Sequence, residues 1–108
     1  MLARVVTIQI RPEEMDECIC IFREVNAPSI AQRPGFDHGH WWVDRASGQA
    51  TSVTFWENEE DEEASRANIS RLVEGMSHVL ASDELYHEAF EVVHEQHPIV
   101  HSEEAGPT

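Results

Sequence analysis

A chain of 108 residues with 41% apolar side chains has the size of one domain and enough apolar material for a packed core. Its formal net charge of -14 repels phosphate backbones and anionic lipid, so neither nucleic acid nor a membrane surface is expected as a partner. Cys18 and Cys20 form neither a CxxC pair nor a disulfide framework, and no apolar run reaches the length of a membrane span or a signal segment; a reducing, cytoplasmic location is the expectation.

From Ala3 to Ile10 the chain alternates, with Val6, Ile8 and Ile10 on one side and Val5, Thr7 and Gln9 on the other, which predicts a strand. Pro12 stands where a helix tolerates proline, in its first turn, and Glu13, Glu14, Asp16 and Glu17 suit the positive end of the helix dipole. Met15, Ile19, Phe22 and Val25 continue as an apolar helical stripe. Pro28 lacks an N–H and predicts a kink or early end near Asn26, and Arg33-Pro34-Gly35 stops the element.

Phe36 to Val43 and Gln49 to Trp56 are β-rich runs joined by the polar turn Asp44-Arg45-Ala46-Ser47-Gly48, an antiparallel hairpin. If Asp44 opposes Gln49, then His38, His40 and Trp42 share a face with Thr51, Val53 and Phe55. Trp41 and Val43 then share the other with Ser52, Thr54 and Trp56. Asn58 caps an acidic turn, Glu59 to Glu63, expected to be a solvated face, and Ile69, Leu72, Val73, Met76, Val79 and Leu80 predict a second helix. Leu85 to Glu95 returns to β character.

The order βαββαβ predicts a single α+β domain over residues 1–97 of ferredoxin-like type, an antiparallel sheet with its helices on one face, followed by a mobile tail over 98–108. Helices cover one sheet face only, yet both faces of the hairpin carry tryptophan. A second copy of the chain is therefore the expected cover for the other face.

Arg33-Pro34-Gly35-Phe36 after the first helix, Thr54-Phe55-Trp56-Glu57 closing the third strand, Asn58-Glu59-Glu60 opening the next helix and Phe90-Glu91-Val92 in the last strand form one set over roughly residues 3 to 95. This set resembles the antibiotic biosynthesis monooxygenase family. The resemblance implies a homodimeric α/β barrel with a pocket between sheet and helices, the third-strand tryptophan facing it, and oxidation of phenols or quinols with no cofactor, neither metal nor flavin. A small aromatic ligand is the implied partner.

Such chemistry requires a base near the substrate hydroxyl, donors for a developing oxyanion and an apolar aromatic wall. The candidates are His38 and His40 as bases, and Trp41, Ser52, Thr54, Trp56 and Asn58 as substrate contacts. Each has a plainer role available: interface packing for the histidines, core for Trp56, a helix cap for Asn58. His38-x-His40 on one strand face leaves a metal short of ligands, so no metal site is expected. His78, His87, His94, His97 and His101 suggest no role, and Arg66 and Arg71 are weak candidates for reaching a phenolate. A haem-degrading branch of the family is disfavoured, because Val6 and Arg66 stand where it carries asparagine and an iron-ligating histidine. The alternative to an enzyme is a non-catalytic dimeric module that binds a small molecule or acts as a scaffold.

Overall fold

The computed structural model describes residues 1–100. It comprises β1 (Leu2–Ile10), a 3-10 turn (Pro12–Glu14), α1 (Met15–Ile21), a π-helical turn (Phe22–Asn26), α2 (Ala27–Ala31), β2 (Phe36–Asp44), β3 (Gln49–Trp56), α3 (Glu59–Ala64), α4 (Arg66–Glu74) and β4 (Leu80–Glu91). The strands form one antiparallel sheet in the order β2-β3-β1-β4, the ferredoxin-like arrangement. Of the tail anticipated to be mobile, residues 101–108 lie outside the described residues.

Alternation along β1 puts Arg4, Val6, Ile8 and Ile10 inward, where they are buried. They meet Met15, Cys18 and Phe22 from the helix arm, Ala50 from β3, and Met76 and Val79 from the segment that follows α4. This layer between sheet and helices is the core.

The helix arm does not end at Asn26. A π-helical turn, in which the Ala27 N–H reaches back to the Phe22 carbonyl, absorbs the donor missing at Pro28 and lets the arm run on through α2. The second helix is shorter than its apolar stripe: α4 stops at Glu74, before Gly75. The Val79 carbonyl then accepts from the Arg11 N–H at 3.0 Å, and Leu80 pairs with Ile10, drawing the chain into β4. β4 accordingly starts five residues before Leu85, the position suggested by β character, and ends at Glu91.

Asp44 does oppose Gln49, and the register holds up to His38 opposite Phe55. A bulge between Phe36 and His38 then resets the pairing so that Phe36 faces Trp56. Gly39 sits on the helix side opposite Thr54, and a Cβ there would crowd the Trp41 ring, so the glycine makes room for the tryptophan. Gly35 adopts φ 81°, a left-handed conformation that ends the loop before β2.

Candidate functional site

Trp41 of β2 and Ser52 of β3 are register partners on the inward face, and between them and the helix arm lies a narrow slit. Its walls are apolar: Val6 and Ile8 from β1, Phe22 and Ile30 from the arm, and Ile69, Leu72, Val73 and Met76 from α4 and its exit. Free volume is about 20 Å³, room for about one water molecule.

One polar side chain enters from the arm. Asn26, the last residue of the π-helical turn, is buried against the slit; its Nδ2 donates to Met76 Sδ at 3.3 Å, and its Oδ1 has no hydrogen-bond partner among the described residues. An orphaned buried acceptor costs about 1–3 kcal/mol relative to a satisfied one, so Asn26 is poised for a water or a ligand hydroxyl.

The structure divides the sequence candidates among three environments. Trp41 and Ser52 line the slit. Thr54 and Trp56 share their sheet face but are sealed in core beside it. Trp56 Nε1 donates to Thr54 Oγ1 at 2.8 Å, the Phe36 ring meets Trp56 edge-on at 5.7 Å, and the Arg4 guanidinium lies 4.7 Å from the Trp56 ring centroid. Asn58 caps α3, its side-chain oxygen accepting from the Asp61 N–H at 2.9 Å.

His38 and His40 project from the opposite sheet face. His38 stacks on Phe55 at 4.2 Å and pairs with Asp37 at 2.6 Å. The whole sheet separates them from the slit, so a role as base for a substrate bound there does not follow from the fold. Among the described residues no group of three or more His, Cys, Asp or Glu side chains is gathered to hold a metal ion. Burial pushes the Cys18 thiol up to about 11, and a hydrogen bond to Glu24 raises Cys20, so neither is disposed to act as a thiolate nucleophile.

A second feature escaped the sequence patterns. Arg4 is buried, its Nη1 donating to the Glu62 carbonyl at 3.2 Å and the Glu62 carboxylate at 3.4 Å, with a further bond to Ser65 Oγ. Glu62 is thus fully buried rather than part of a solvated face. Arg66 grips the same carboxylate through Nε at 3.1 Å and Nη2 at 2.7 Å, and His87 Nε2 stands 3.8 Å from it. Burial alone would raise Glu62, but Arg66 and Arg4 outweigh it and hold the carboxyl below its usual range. The signals were present: an arginine at an inward position of an apolar strand, and a Glu62–Arg66 pair at helical i,i+4 spacing.

Fold and slit define a ferredoxin-like sheet domain with an apolar recess under its helices. Residues 1–96 match the family model described as antibiotic biosynthesis monooxygenase, and the chain belongs to that family. No curated protein matches it by sequence. Solved structures share the fold at low identity. A proposed antibiotic biosynthesis monooxygenase of Deinococcus radiodurans superposes with TM-score 0.74 at 16% identity, covering 93% of this chain and 100% of that one. A monooxygenase from the gene ActVA-Orf6 of Streptomyces coelicolor, in complex with the ligand nanaomycin D, gives 0.72 at 15% identity over 91% and 92%. SnoaB, a cofactor-independent oxygenase from Streptomyces nogalater, gives 0.64 at 13% identity over 87% and 94%.

Proposed function

We propose that this chain is a cofactor-independent monooxygenase that oxidises a small phenolic, quinol or polyketide-like aromatic in the slit under the helix arm. Within a family of monooxygenases, the observation that carries this reading is the lining of the slit: an apolar aromatic wall interrupted by Asn26, a buried acceptor with no partner among the described residues. The cofactor-independent oxygenase and the ligand-bound monooxygenase among its structural neighbours lend support.

An ionised, electron-rich ring passes an electron to oxygen by itself; the slit lining holds no titratable side chain, so the ring's proton passes to water and the protein binds and desolvates the anion. For an anthrone the balance closes without an external reductant: the ring CH2 becomes a carbonyl, one oxygen atom of O2 enters it, and the other leaves as water with the two hydrogens. Asn26 would accept from a hydroxyl that the bound substrate retains, Trp41 would lie along its ring, and Ser52 would offer a second polar contact. Thr54 and Trp56 would hold the β3 wall in place, and Asn58 the helix that follows it. His38 and His40 are better suited to an interface.

That interface is proposed to join two copies. The outer sheet face exposes Trp42, Tyr86 and Phe90 around Val53 and Phe55, an apolar surface that a second sheet would bury. Two free cysteines, and no helix among the described residues long and apolar enough to cross a membrane, are consistent with a cytoplasmic protein.

A slit with about 20 Å³ free is closed to an aromatic ring, so catalysis or ligand binding there requires the helix arm to move off the sheet; left closed, it favours a second reading, the scaffold form of a non-catalytic binding or scaffold module. Oxygen consumption with an anthrone in flavin-free, chelator-treated buffer separates the two. The oxygenase should exceed the spontaneous rate and lose about tenfold or more in Asn26→Leu with its melting transition retained. A rate equal to buffer, with the anthrone still raising the melting temperature, would establish the binding module instead.

A further inference from the structure

On the β4 side of α4 lies a second, larger recess, a cleft of about 260 Å³ lined by Arg66, Ile69, Ser70, Leu85 and His87. β4 is an edge strand, and α4 leaves its inward face only partly covered: Leu85 is 40% exposed, and the His87 side chain 30%. Each wall of the cleft is mixed: Arg66 and Ser70 stand with Ile69 on α4, and His87 stands with Leu85 on β4.

One buried carboxylate, Glu62, serves two guanidiniums, those of Arg4 and Arg66, and Arg4 Nε and Nη2 are buried with no partner among the described residues. The cleft's own lining carries no carboxylate: its polar groups, Arg66, Ser70 and His87, can all donate, within a chain of net charge -14. Burial, then Arg66 and to a smaller extent Arg4, lower the His87 pKa, while Glu62 opposes them; Glu59 and Glu63 of α3 also act on Arg66. An anion in the cleft would take the Arg66 donors that Glu62 leaves to solvent and draw a proton onto His87.

We infer that the cleft between α4 and β4 binds a small organic anion with an apolar body, an aryl carboxylate or ionised phenol, with its oxygens on Arg66 and Ser70, its ring against Leu85 and Ile69, and His87 completing the grip when protonated. As a statement about substrate this rests on the oxygenase reading; as a statement about binding it does not. Ile69 lines both cleft and slit, so a ligand anchored here lies next to the Asn26 recess.

The test is an NMR titration of the full chain with naphthoate and with its neutral amide. Naphthoate should saturate and shift the backbone amides of Arg66, Ser70 and His87. The neutral amide should bind about tenfold more weakly, and Arg66→Gln should weaken naphthoate by a similar factor. Affinity should rise as the pH falls from about 8 to about 6, and this slope should vanish in His87→Gln. Equal affinity for naphthoate and amide, or shifts confined to Trp41 and Phe22, would overturn the assignment. Should Arg66→Gln fail to fold, Ser70→Phe on the exposed side of α4 fills the cleft while leaving the ion network intact; retained naphthoate binding there would overturn it equally. A protein that binds naphthoate in this way but consumes no oxygen with an anthrone supports the anion site and removes the oxygenase reading.

Discussion

Replacing Glu62 by Gln removes the carboxylate that Arg4 and Arg66 share and leaves the buried Arg4 guanidinium without a counter-charge, while keeping the side-chain shape. Breaking a buried ion pair from one side costs about 3–5 kcal/mol, and Arg4 has no route to water, whereas Arg66 is half exposed and does. At about 4–8 °C per kcal/mol for a domain of this size, the melting temperature should fall by about 12 °C or more, measured at fixed protein concentration because pairing of copies contributes to it. Arg4→Met should cost a comparable amount and also forfeit the contact with Trp56. Combining Arg4→Met with Glu62→Gln removes both charges and should cost clearly less than the sum of the two single changes, by about 1–3 kcal/mol. Additive single effects, or a Glu62→Gln change below about 1 kcal/mol, would refute a buried, mutually dependent pair.

Further outcomes follow from the same geometry. The folded-state pKa of His87 lies below 6.5 and that of Glu62 below 4.5, so the unfolded chain binds more protons than the folded one as the pH drops. Stability should therefore decline below about pH 6.5 and more steeply below about 4.5, and His87→Gln should remove the first step from a series of chemical melts at graded pH. Gly35→Ala forces a side chain into a left-handed conformation and into the Asp61 carboxylate, and should cost about 1–3 kcal/mol by denaturant titration. Light scattering should give about twice 12.3 kDa for the wild type, and Phe55→Asp on the outer face should yield a folded monomer; a wild-type monomer at micromolar concentration would contradict pairing.

The sheet was legible because β1, β2 and β3 alternate cleanly and the Asp44-to-Gly48 turn fixes one register, which put Trp41, Ser52, Thr54 and Trp56 on one face and His38 and His40 on the other. What the pattern could not reveal is depth. Trp41 and Trp56 share a face, yet Trp41 borders open space while Trp56 is sealed by Arg4, Phe36 and Thr54, partners distant in sequence. Asn26 was read as the edge of a proline kink, because nothing local signals a π-helical turn that rotates one polar side chain inward. Glu62 was hidden in an acidic run whose neighbours are solvated, and its burial depends on the inward arginine of a strand 58 residues away in the chain.

Oxygen incorporation tests the proposed activity most directly. The protein, freed of flavin and treated with chelator, is incubated with an anthrone under isotopically heavy oxygen, and the quinone is examined by mass spectrometry. An oxygenase of the proposed kind yields a product carrying one heavy oxygen atom, at a rate above buffer that falls in Asn26→Leu. Product formed no faster than in buffer, or without the heavy atom, would contradict it.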